Sequence, residues 1–163
     1  MKYSKEMYAG CIGLFFLPAA TLAATVTPAS VAVTVSGTLT KDLDGQFTTK
    51  CRVWMIGVTH RHGISFTHRH SVNINGGPLA CDADMAIPLR LQADTPKKAT
   101  LKNVTIDTHR GRCGPGDAVL PWNNATSTLG PGTATLKIDD KFSQGKACHL
   151  SGSLTISPAI RIR

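Results

Sequence analysis

Val31, Val33 and Val35 alternate with Ala32, Thr34 and Ser36, and Leu39 returns on the same parity after Gly37. This period of two predicts a half-buried strand. In residues 51–58 the pattern changes. Cys51, Val53, Met55 and Gly57 alternate with Arg52, Trp54, Ile56 and Val58, so both faces are largely apolar. Such a run predicts a central strand of a sandwich, covered on both sides. Ile64, Phe66, Val72 and Ile74 suggest a returning arm, ended by the turn signal Asn75-Gly76-Gly77-Pro78. Ile87, Leu89 and Leu91 alternate with Pro88, Arg90 and Gln92, and Pro88 favours an edge position. Residues 93–98 read as a polar turn before Leu101, Val104 and Ile106. Gly114-Pro115-Gly116 and Gly130-Pro131-Gly132 read as breakers, bounding residues 119–122 and the alternation Ala134, Leu136, Ile138. Leu150, Leu154 and Ile156, then Ile160 and Ile162, supply the last one or two strands. The sum is eight to ten short antiparallel strands and no clear helix. Gly/Pro turns at this spacing predict an all-β, single β-sandwich domain.

Composition agrees. Glu6 is the only glutamate in 163 residues, while Thr is abundant, a balance that favours strand over helix. Charged residues are 17% of the chain, below the roughly 25% of an average domain, which argues against a charged tail or coiled coil.

The N-terminus carries a different pattern. Lys2 and Lys5 precede an apolar run over residues 9–20, centred on Leu14, Phe15, Phe16 and Leu17, and small residues follow. This predicts a bacterial-type signal peptide over residues 1–23, cleaved after Ala23. The mature domain is then residues 24–163. No second apolar stretch approaches 18 residues, so no transmembrane segment is expected in it. Losing Lys2, Lys5 and Glu6 lowers the formal charge from +8 to +7.

Cys11 leaves with the signal, and Cys51, Cys81, Cys113 and Cys148 remain. An even count in an exported chain implies two disulfides, with three possible connectivities. Pairing Cys51 with Cys81 and Cys113 with Cys148 is preferred, because each closes a loop of about 30 residues within one half of the chain. The chain-entropy model gives roughly 3–4 kcal/mol for each such loop. A four-cysteine zinc site needs close pairs of the C-x-x-C kind, and none is present.

The two ends of the mature chain echo each other. Ser36-Gly37-Thr38-Leu39-Thr40 resembles Ser151-Gly152-Ser153-Leu154-Thr155, and Thr27-Pro28-Ala29 resembles Ser157-Pro158-Ala159. Two similar strands, paired in one sheet, would produce this. The alternative is a terminal strand, residues 24–40, exchanged between subunits by strand addition.

Candidate chemistry is sparse. Thr-His-Arg-His occurs twice, at residues 59–62 and 67–70. In a strand His60 and His62 share a face, as do His68 and His70. If residues 63–66 form the bend of a hairpin, the four imidazoles could converge on zinc, copper or nickel. Arg61 and Arg69 oppose that reading, and no carboxylate within the cluster supports the ligands. A solvated basic hairpin is the plainer expectation. Catalytic motifs are missing: there is no G-x-S-x-G, no H-E-x-x-H and no phosphate-binding glycine loop. Asp82 and Asp84, and Asp139-Asp140 beside Lys141, read as turn residues. His109 beside Arg110 and Arg112 has no nucleophile near it in sequence, and His149 next to Cys148 reads as structural. The positive charge suits anionic envelope components, whereas nucleic acid is not an expected partner of an exported chain with two tryptophans and no recognition motif.

In the second half, Cys113-Gly114-Pro115-Gly116, then residues 121–128 (Pro-Trp-Asn-Asn-Ala-Thr-Ser-Thr), then residues 148–159 (Cys-His-Leu-Ser-Gly-Ser-Leu-Thr-Ile-Ser-Pro-Ala) stand in order, after a mature start of Ala-Thr-Val-Thr-Pro-Ala. This resembles the exported bacterial alkane oxidation protein activators, the PraB-like proteins. The resemblance implies a small secreted or surface-attached protein that promotes growth on long-chain alkanes by contacting or dispersing the oily substrate, without catalysis. It carries over no catalytic residues and no cofactor. The histidine-rich segment lies outside the pattern that carries it.

The expectation is therefore a non-enzymatic protein, secreted, at the cell surface or in the periplasm. It would work through surface contact: hydrocarbon uptake, adhesion or biofilm. Its partners would be cell-envelope components, a hydrocarbon surface or further copies of itself. The alternatives are a fimbrial or spore-coat-U-like subunit assembling by its N-terminal strand, and a periplasmic metal-binding protein using the four histidines.

Overall fold

The computed structural model describes residues 23–79, 81, 85–108, 111–137 and 147–163. Residues 1–22 of the expected signal sequence, Asp82, Asp84, His109, Arg110, Asp139, Asp140 and Lys141 lie outside them. The elements are β1 (Val26–Thr27), β2 (Ala32–Leu43), β3 (Phe47–His60), β4 (Gly63–Asn73), β5 (Met85–Thr95), β6 (Lys98–Thr108), β7 (Gly111–Asn123), β8 (Thr128–Lys137), β9 (Ala147–Ser157) and β10 (Arg161–Ile162). Strands β2 to β9 pair in sequence order, and β9 returns to pair with β2, closing one antiparallel barrel.

The expected sandwich is thus corrected to a closed eight-stranded barrel. Both architectures place alternate side chains of each strand inside, so periodicity is the same for the two. The difference lies in one long-range ladder. β2 and β9 pair from Thr34↔Ser157 to Leu43↔Cys148. The strands are also longer than expected, at 10–14 residues. The Gly-Pro-Gly triplets explain part of that error. They do not break strands but sit inside β7 and β8. Opposite Gly114-Pro115 stands the single residue Thr105 of β6, between the pairs Val104↔Gly116 and Ile106↔Cys113. Opposite Gly130-Pro131 stands Ser153 of β9, between Leu129↔Leu154 and Gly132↔Gly152. Each is a bulge whose first residue needs a positive φ, +85° at both Gly114 and Gly130. Bulges bend strands and sharpen their twist, as closure of a barrel requires.

The interior is apolar. Val33, Val35 and Leu39 of β2 meet Val53 and Met55 of β3, Ile64 and Phe66 of β4, Leu101 and Ile106 of β6, Leu120 of β7 and Leu150 and Leu154 of β9, all buried. Lys41, between Leu39 and Leu43, is also buried at 2% exposure. One mouth is covered by the two-stranded sheet β1–β10, which buries Val26, Ile160 and Ile162. Each such side chain contributes roughly 1.5–3 kcal/mol on burial, enough to hold the cover in place.

Two disulfides act away from that cover. Cys51 of β3 joins Cys81 in the β4–β5 connection, with Cα atoms 5.7 Å apart. Cys113 of β7 joins Cys148 of β9 at 6.2 Å, reaching past β8. The pair of bonds points to an oxidising, non-cytoplasmic location. The echoing segments at the two ends are neighbours in the sheet: Ser36↔Thr155, Gly37↔Leu154, Thr38↔Ser153, Leu39↔Gly152 and Thr40↔Ser151 are cross-strand pairs. Residues 24–40 are accordingly engaged within their own chain, β1 by β10 and β2 by both β3 and β9.

Candidate functional site

Two outer features of the barrel carry distinctive side chains. The first runs along β3. Closure of the barrel turns Arg52, Trp54, Ile56 and Val58 outward, opposite the buried Cys51, Val53 and Met55. Among the described residues no second sheet covers them, contrary to the central-strand expectation. Trp54 is 42% exposed and Val58 46%. Val72 and Ile74, at the far end of β4 and just beyond it, are exposed beside them. Cross-strand neighbours stand about 5 Å apart at Cβ, so the surroundings follow from the register. On the β4 side His70 faces Trp54, His68 faces Ile56 and Val72 faces Arg52. On the β2 side Ser36 faces Trp54, Thr34 faces Ile56 and Ala32 faces Val58. The result is an apolar strip with imidazoles along one flank and hydroxyls along the other.

The second feature is a cleft of about 560 Å³ on the barrel wall near the covered mouth. Its lining brings together His60 from the end of β3, His62 from the turn, Arg90 and Gln92 from β5, and Lys102 and Asn103 from β6. Gly63↔Gln92, Ile64↔Leu91 and Ser65↔Arg90 fix the β4–β5 register that brings the turn and the two strands together. His62 Nδ1 donates to the Ala24 carbonyl at 3.2 Å, which orients the ring and leaves Nε2 for other partners.

The four histidines singled out by sequence therefore divide into two pairs. The hairpin bend is Arg61-His62, with His60↔Gly63 closing it, and not residues 63–66. From there β4 runs on as an extended strand, so His62 and His68, six residues apart, are separated by roughly 20 Å. A bulge at Thr67, between Ile56↔His68 and Gly57↔Phe66, shifts the parity. It turns Arg69 to the inner side opposite Met55 and His68 and His70 outward. His68 Nδ1 meets Thr67 Oγ1 at 3.1 Å. Among the described residues no three His, Cys, Asp or Glu side chains lie close enough to share a metal ion. His149 projects from β9 and meets Thr135 Oγ1 of β8 at 3.1 Å.

Sequence reasoning missed Arg90, Gln92 and Lys102 as partners of His60 and His62. The alternation around Leu89 and Leu91 already points Arg90 and Gln92 outward, but only the β4–β5 register brings them to the histidine turn. It also treated Trp54 as core. Arg52 on the same face was the signal that this face meets water.

No curated protein and no solved structure matches the chain. A family model described as alkane oxidation protein activator PraA/PraB-like matches residues 1–163, and the chain belongs to that family.

Proposed function

We propose that the protein is exported and acts without catalysis, adsorbing through the Trp54 strip to an apolar surface such as a hydrocarbon droplet. The observation that carries this reading is the exposure of Trp54, Val58, Val72 and Ile74 along β3 and β4, whereas elsewhere among the described residues Val119 of β7 stands alone as an exposed large apolar side chain. Contiguous exposed apolar side chains rimmed by polar ones mark contact surfaces. The family name supports the connection with alkanes. Burying the exposed part of Trp54 alone would contribute on the order of 2 kcal/mol. The outward faces of β2 and β9 are ranks of Ser and Thr, with Leu, Val and Ile inside. That polarity is opposite to a membrane-spanning barrel, apolar outside and polar within, and suits a water-borne protein. The two disulfides suit an oxidising extracytoplasmic setting.

The test is adsorption of purified residues 24–163 to hexadecane droplets, measured by depletion from the aqueous phase. A Trp54→Ser, Val58→Ser double variant with an unchanged melting temperature should adsorb at least about tenfold more weakly. Equal adsorption of the two proteins rejects the strip as the contact surface.

A further inference from the structure

We infer that the cleft formed by His60, His62, Arg90 and Lys102 binds an oxyanion, the carboxylate or phosphate end of a small ligand. The inference is independent of the apolar strip, which lies farther along β3. Four groups able to carry positive charge line one cleft, contributed by the β3–β4 hairpin, β5 and β6. No acidic side chain is among its described lining residues; the nearby Asp94 is held by hydrogen bonds from Gln92 and Thr100. Asp117 of β7 pairs with Lys102 and offsets one of the four. Arg90 makes no ion pair among the described residues, so its planar fork of N–H donors is available for a bidentate contact. Gln92 lines the same wall, its Nε2 donating to Asp94 Oδ1 at 3.1 Å.

The surroundings reinforce the sign. Arg61, Lys97, Lys98, Arg161 and Arg163 stand around the same mouth of the barrel, where the β3–β4 and β5–β6 turns meet β10. Asp94 stands beside Arg61 and Arg163 at this mouth and offsets one of these charges; the remaining positive excess raises the local concentration of counter-ions. The same charge disfavours a metal cation between His60 and His62. Leu91 and Ala93 also line the cleft between the outward Arg90 and Gln92, and both are buried.

Amide chemical-shift titration of residues 24–163 tests this, using inorganic phosphate, acetate and octanoate as separate probes at constant ionic strength set with chloride. The expected result is saturable binding of at least one probe, with shifts concentrated at residues 60–63, 90–93 and 102–103. Octanoate binding tighter than acetate would assign a chain-bearing carboxylate, and phosphate binding tightest a phosphate. Arg90→Gln should weaken that binding about tenfold or more, the loss of a charge-assisted contact. Arg52→Gln, which removes the same charge from the outer face of β3, should leave it unchanged. Equal weakening by both variants, shifts spread over all basic surfaces, or no saturation by on the order of 20 mM of any probe would overturn the site.

Discussion

Gly37 and Leu154 face each other across the ladder that closes the barrel, and two positions along it Leu39 faces Gly152. The Ser-Gly-x-Leu-Thr segment of β2 thus packs against its own echo in β9, each leucine buried and each glycine giving it room. A Cβ on Gly37 would collide with the Ser153 carbonyl oxygen, and one on Gly152, whose φ is +131°, with the Thr38 carbonyl oxygen. Gly152→Ala should therefore destabilise the protein by about 2–4 kcal/mol, combining a backbone clash with a disfavoured φ. Gly45→Ala provides the comparison. Its φ is +70° but nothing lies within 4 Å of a new Cβ, so only the conformational cost of about 1 kcal/mol applies. Urea unfolding of the two variants beside the parent decides whether close approach at the seam matters.

The disulfides make a separate expectation. Residues 24–163, denatured without reductant, should show no titratable thiol, because all four cysteines are paired. Replacing Cys113 and Cys148 by Ser should cost about 3–4 kcal/mol, from the entropy of a loop with sequence separation 35. A loss below about 1 kcal/mol would mean that the barrel alone confines this part of the chain.

The two tryptophans differ in environment, which gives a direct optical check. Trp54 is 42% exposed and Trp122 only 4%. Acrylamide quenching should resolve an accessible and a protected component. Trp54→Phe should abolish the accessible one, leaving a weakly quenched emission from Trp122. Efficient quenching that persists in this variant would show Trp122, and with it the covered mouth, to be open to solvent.

Asn124 organises that mouth with all four of its side-chain hydrogen-bonding positions. Its Nδ2 donates to the carbonyls of Pro96 and Ile162, and its Oδ1 accepts from Trp122 Nε1 and the Ile162 amide. Asn124→Asp keeps both acceptor roles and loses both donations, placing a carboxylate against two carbonyl oxygens. The expected loss is about 2–3 kcal/mol. Hydrogen exchange should localise it: the Ile162 and Arg163 amides should lose protection, while those of β3 and β7 should not.

Much of the strand content was legible from residues such as Val33, Val35, Leu89, Leu91 and Leu154, whose alternation reports only which side of a sheet is dry. That information is local. Whether the dry side faces a second sheet or the far wall of the same one depends on the pairing of Gly37 with Leu154, more than a hundred residues apart. The echo of the two ends hinted at that pairing without proving closure. Gly114-Pro115 and Gly130-Pro131 misled because turn chemistry and bulge chemistry use the same residues. The candidate site was half visible. His60 and His62 stood out by their repetition, whereas Arg90 and Lys102 are ordinary outward residues that acquire meaning only when β5 and β6 are laid beside the hairpin. The second repeat, His68 and His70, is carried away by the extended length of β4.

Thr25 and Arg163 exchange two backbone hydrogen bonds of 2.8 Å, so these two residues sit side by side at one mouth of the barrel. This sets how the molecule bears load. A force drawing residues 25 and 163 apart first opens the two-residue ladder β1–β10, then peels β2 from β9 one pair at a time, beginning at Thr34 and Ser157. Peeling strains one hydrogen bond after another, whereas sliding strands lengthwise strains a whole ladder together. Forced unfolding is governed by the rate of the first rupture. A copy pulled through these two residues should therefore yield at low tension. One held by its broad flank, with the load spread across several strands, should resist far longer.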